Sequence, residues 1–138
     1  VTCAVTAWAQ PVQPDAAASD PSSLIGLTID GLFSRFGFPQ SVHAVRGIET
    51  WQDDVVFVYE DRGFYVYLNR VWQIETNAAY GIRIGDPFGQ VSRLLGGASY
   101  FDDYLLYTLP DRDWPVTLRV NFDRSQAVSA IYIYRSDF

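Results

Sequence analysis

Between residues 28 and 37 the apolar positions are Ile29, Leu32, Phe33 and Phe36. They recur at i, i+3, i+4 and i+7, the stripe of an amphipathic helix. Thr28 is placed to cap its start, and Gly37 supplies a left-handed residue to end it. Phe88, Val91 and Leu95 stand 59 residues on from Ile29, Leu32 and Phe36, and Gly96 stands 59 on from Gly37. In this second stripe Asp86 reads as the N-cap, Pro87 as the first helical residue and Gly96 as the closing glycine. Helices this short do not persist alone in water, so each must lie on an apolar surface.

That surface follows in each half, where the period changes to two. Val55 to Tyr59, Phe64 to Leu68 and Val71 to Thr76 read as strands, separated by turns at Glu60–Gly63 and Asn69–Arg70. Tyr104 to Tyr107, Val116 to Phe122 and Val128 to Tyr134 repeat the scheme, with turns at Pro110–Asp113 and Asp123–Gln126. Val116, Leu118, Val120 and Phe122 point one way; Thr117, Arg119 and Asn121 point the other. Each half is one helix and a three-strand meander, and short connections make the pairing antiparallel. The expected fold is α+β: tandem α-β-β-β repeats, residues 24–78 and 79–138, forming a six-stranded antiparallel sheet with short helices on one face. The first half carries about ten extra residues around Ser41 to Thr50, enough for another short helical or extended piece.

Residues 1–9, VTCAVTAWA, end in the small-x-small pattern that precedes a signal-peptidase cut, with Gln10 as the mature start. They read as a signal-peptide remnant, although an ordinary apolar segment and a lipidated Cys3 remain open. Residues 10–23, with three Pro and two Asp, read as a flexible tether to a single domain over 24–138. No other stretch is apolar enough to span a membrane. The chain of 138 residues carries a net charge of −6, which works against nucleic acid and anionic membranes as partners. Its one Cys excludes a disulfide framework.

Gly81-Ile82-Arg83-Ile84-Gly85-Asp86, the short helix after it, and Leu95-Gly96-Gly97-Ala98 together resemble the opening of a beta-lactamase-inhibitor-protein-like repeat. Leu32 to Pro39, ending Phe36-Gly37-Phe38-Pro39, is a looser copy. The same unit resembles the small outer-membrane lipoproteins of the barrel-assembly machinery. The resemblance covers residues 24–138 and implies a secreted or periplasmic protein that acts by binding other proteins. The inhibitor unit has two helices and four strands, against one helix and three strands per half here. No contact residue and no inhibition of a beta-lactamase are carried over.

Candidate chemistry is sparse. Asp53-Asp54 and Asp102-Asp103 stand before equivalent strands. A calcium site or an acid/base pair is one reading; solvated turn residues that discourage edge pairing are the plainer one. His43 is the sole histidine, with no Gly-x-Ser-x-Gly elbow to serve, and there are too few His and Cys to close a zinc site. Gly85, Gly89, Gly96 and Gly97 form no phosphate-binding pattern, and Arg35 and Arg93 suit helix C-termini. No catalytic residue, metal or cofactor is assigned.

The aromatic content, 4 Trp, 9 Tyr and 9 Phe, changes the picture more. Two short helices cover one sheet face, yet the strands offer large side chains on both. With Phe64, Val66, Leu68, Ile131 and Ile133 under the helices, Tyr65, Tyr67, Tyr132 and Tyr134 fall on the uncovered face, with Trp72 beside them. Such rings suit a protein interface, although tyrosine also suits any half-exposed strand. The expectation is an exported, non-catalytic module, periplasmic or secreted, that grips a protein partner or itself through this face. A ligand-binding or hydrolytic enzyme with an acidic pocket, and a structural cell-envelope component, are the alternatives.

Overall fold

The computed structural model describes residues 20–48 and 54–137. The proposed signal remnant, most of the tether and Asp53 lie outside the described residues. Ten strands and two α-helices are present among those described. Helix α1 spans Ile29–Phe36, and helix α2 spans Phe88–Leu94. The strands are β1 (Ser41–Val45), β2 (Asp54–Val58), β3 (Arg62–Tyr67), β4 (Arg70–Thr76), β5 (Ala78–Ala79), β6 (Ile82–Arg83), β7 (Ser99–Tyr100), β8 (Tyr104–Thr108), β9 (Val116–Phe122) and β10 (Val128–Arg135).

Eight strands make one antiparallel sheet in the order β1-β2-β3-β4-β10-β9-β8-β7, and β5–β6 is a separate hairpin. The expected six-stranded sheet is thus corrected to eight. The two additional strands, β1 and β7, are the sheet edges. Every residue of β1 is exposed and β7 has only two residues, so neither carries the alternation that marks a half-buried strand. The strand order is symmetric about the central β4–β10 pair, where Ile133 faces Ile74 and Tyr132 faces Glu75.

Local chemistry sets the ends of the elements. Thr28 Oγ1 accepts from Gly31 N at 3.0 Å, and Gly37, at φ +77°, closes α1 by donating its N–H to Phe33 O. At α2 the expectation shifts by one residue. Pro87 is the N-cap, and Asp86 instead accepts from Arg83 N at 2.9 Å, tying the helix start to β6. The left-handed residue after α2 is Gly97, at φ +90°, rather than Gly96. Leu68, expected inside a strand, is 79% exposed, with Asn69 at positive φ beside it. Two consecutive positive φ values are what a two-residue hairpin turn requires, so turn geometry overrode hydrophobicity here.

One face of the sheet carries the core. Phe57, Phe64, Val66, Val71 and Ile74 pack with Leu32 of α1. Leu105, Leu118, Val120, Ile131 and Ile133 pack with Val91 of α2 and with Ile82 of the β5–β6 hairpin. Trp114 touches both clusters and joins them.

The tether reading is corrected at its end. Asp20 caps a 3-10 turn over Pro21–Leu24, and Leu24 and Ile25 are buried in the first cluster. Tyr80 donates to Asp20 Oδ1 at 2.6 Å, and Arg112 bridges Asp20 Oδ2 at 2.9 Å and Ser22 Oγ at 2.7 Å. Spacing alone misses this clasp, because its donors lie 60 and 92 residues along the chain from Asp20.

Candidate interaction face

Strand registers define the face away from the helices. One row across it runs Ser41, Val58, Gly63, Glu75, Tyr132, Arg119, Leu106, Ser99. The next runs His43, Val56, Tyr65, Gln73, Tyr134, Thr117, Thr108. The helices, the β5–β6 hairpin and the 3-10 turn all contribute to the core clusters on the opposite face. No helix among the described residues packs on these rows.

The five aromatic residues expected here are half-buried, whereas Phe64, Val66, Ile131 and Ile133 are buried. Tyr65 and Trp72 meet edge to face at 6.3 Å, helped by a bulge in the β3–β4 register that swings Trp72 outward. Trp72 Nε1 donates to Asp54 Oδ1 at 3.2 Å. Tyr132 sits between Glu75 and Arg119, Tyr134 between Gln73 and Thr117, and Tyr67 ends its strand opposite Arg70.

Two charged residues not among the expected site residues occupy the middle of the face. Glu75 accepts from Tyr65 Oη at 3.1 Å. Arg119 donates Nε to Asn121 Oδ1 at 2.8 Å and lies 3.9 Å over the Tyr104 ring, which stacks in turn on Phe101. Burial, reinforced by the Glu75 carboxylate, pushes the Tyr65 phenol well up. Burial and Glu75 also raise Tyr132, against the opposing pull of Arg119. Both phenols stay neutral donors at physiological pH. Strand alternation already places Glu75 and Arg119 on this face, so the signal for them was present.

The acidic pairs are not assembled into a site. Asp54 begins β2, while Asp102 and Asp103 are exposed in the turn before β8, five strand positions away. At about 4.8 Å per strand they are roughly 24 Å apart, too far to share a ligand. No group of three metal-ligating side chains occurs among the described residues. His43 is exposed on β1 and lines a hollow of about 220 Å³ together with Val56, Val58, Asp61, Gly63 and Glu75. A second hollow of about 360 Å³ lies by the clasp, between Ser23, Asp111, Asp113 and Trp114. No helix among the described residues is long and apolar enough to cross a membrane.

No family model and no curated protein matches this sequence. Solved structures do share its fold. An extracellular protein containing an SCP domain, from Bacillus anthracis, superposes with a TM-score of 0.61 at 14% identity, over 91% of this chain and 49% of that one. A cysteine-rich secretory protein from Staphylococcus aureus superposes at 0.51 and 14% identity, over 83% of this chain and 46% of that one. The chain spans about half the length of each, and at this identity the likeness concerns the fold alone.

Proposed function

We propose that the chain is an exported, non-catalytic protein-binding module that holds its partner through the open aromatic face. The observation that carries this reading is the grouping of Tyr65, Tyr67, Trp72, Tyr132 and Tyr134, half-exposed, on the sheet face away from the helices. Rings with polar tips supply contact area at low entropic cost, and Tyr, Trp and Arg dominate the energetics of protein interfaces. The resemblance to the inhibitor-protein and lipoprotein repeats favours protein binding in the periplasm or outside the cell. The neighbours described as extracellular and secretory favour export. The symmetric strand order favours reading the halves as two copies of one unit. An acidic-pocket enzyme is disfavoured by the separation of Asp54 from Asp102 and Asp103.

The test replaces Tyr65, Tyr67 and Tyr132 with Ser, with Leu94→Ser on the helix side as control. Capture from cell-envelope extract and sedimentation are compared with the parent protein. Loss of a specific captured protein, or of self-association, in the triple variant alone supports the reading. Unchanged capture and unchanged sedimentation refute it.

A further inference from the structure

We propose that the partner on the open face is a second copy of this chain, packed sheet on sheet about a two-fold axis parallel to β10. This rests on the open-face reading and names its occupant. In the row Gly63–Glu75–Tyr132–Arg119–Leu106, Tyr132 is the midpoint. Glu75 and Arg119 stand one strand to either side, about 10 Å apart at ordinary strand spacing. Rotation by 180° about an axis running along β10 exchanges the two sides. Glu75 of each copy then lies over Arg119 of the other, forming two equivalent ion pairs.

The same rotation matches shape. Leu106 and Gly63 stand two strands from Tyr132 on opposite sides. Leu106 of one copy therefore falls over Gly63 of the other, which lines the hollow of about 220 Å³. In the adjacent row Tyr65 of one copy meets the exposed Thr108 of the other, so a phenol opposes a hydroxyl. Packing of this kind, with sheets nearly aligned and about 10 Å apart, is the ordinary geometry of a β-sandwich.

Both charges are prepared for a partner. Arg119 is held by Asn121 and by the Tyr104 ring, and it makes no ion pair among the described residues. Glu75 is engaged by a phenol and by no cation among them. A net charge of −6 makes two copies repel at a distance, so adhesion depends on local pairing of this sort. An unrelated partner has no reason to mirror the face's own complementarity about one strand.

Sedimentation equilibrium across about 1–100 μM measures the dissociation constant of the full chain. Glu75→Arg and Arg119→Glu are each expected to weaken the dimer at least about tenfold, and the double swap E75R/R119E to restore it. Should either reversal not fold, E75Q and R119Q read the same loss. Gly63→Leu, which fills the hollow, is expected to weaken it independently. A monomeric parent protein at the highest concentration, or single reversals and a double swap that weaken it additively, overturns the second copy. If the tyrosine triple variant still loses a captured protein in that case, the open face stands and its occupant is a different protein.

Discussion

Replacing Asp20 with Ala tests whether the 3-10 turn at Pro21–Leu24 is fastened to the second half of the sheet. The carboxylate accepts from Tyr80 Oη at 2.6 Å, Ser22 Oγ at 2.8 Å, Ser22 N at 3.0 Å and Arg112 at 2.9 Å. The Asp20 and Arg112 side chains are 33% and 25% exposed, so solvent screens the ion pair to about 0.5–1 kcal/mol. Loss of the Tyr80 bond to a charged acceptor adds roughly 1.5 kcal/mol, because that half-buried phenol keeps only Ser22 and Arg112 beside it and no acceptor of comparable strength. Arg112 keeps Ser22 Oγ and Pro110 O, which limits the total. The expected loss is about 2.5 kcal/mol, or a fall in Tm on the order of 10 °C for a domain of this size. Urea denaturation of D20A, Y80F and the double variant measures it, with a coupling of at least about 0.5 kcal/mol between the two sites. A D20A protein within about 0.5 kcal/mol of the parent, or strict additivity with Y80F, refutes the clasp.

The clasp also predicts a pH dependence. Burial alone would raise the Asp20 carboxyl, but hydrogen bonds from Tyr80 and Ser22 and the Arg112 charge hold it below 3.8. Its contribution is present above about pH 4 and disappears as pH falls through the lowered value. Burial, then Asp20, push Tyr80 up to about 12, so its contribution is present below about pH 10 and disappears between about 10 and 12. Melting curves across pH should show D20A losing the acid-side difference from the parent; parallel curves contradict this. Trp114→Ala should cost about 3 kcal/mol in urea denaturation, since the ring joins both core clusters and lies under Arg135 at 4.7 Å; a loss below about 1 kcal/mol contradicts it. Gly26→Ala should cost about 1 kcal/mol because the residue holds φ +94°, and an unchanged midpoint would show that the backbone there relaxes.

The alternation of Val116 to Phe122, the stripe of Ile29 to Phe36 and the punctuation at Gly37 were enough to specify both helices and the six inner strands. These signals are local: period, capping and turn chemistry act over a few residues. Alternation alone also placed Tyr65, Tyr67, Tyr132 and Tyr134 opposite Phe64 and Ile131, whereas Trp72 reaches that face through the bulge in the β3–β4 register. The same alternation puts Glu75 and Arg119 on this face, but that they flank Tyr132 is set by the β4–β10–β9 register.

The edges were different. Ser41–Val45 is a strand because β2, from Asp54 to Val58, supplies hydrogen bonds along one side, not because its residues bury a face. The N-terminal turn is ordered because Leu24 and Ile25 find the first cluster and Asp20 finds Tyr80 and Arg112 from the other end of the chain. The scattering of the acidic pairs, and the alignment of Gly63, Glu75, Tyr132, Arg119 and Leu106, depend on register between strands that a linear pattern does not encode. Periodicity decides which side of a strand a residue takes; only the assembled ladder decides its neighbours, because cross-strand partners are chosen by long-range packing.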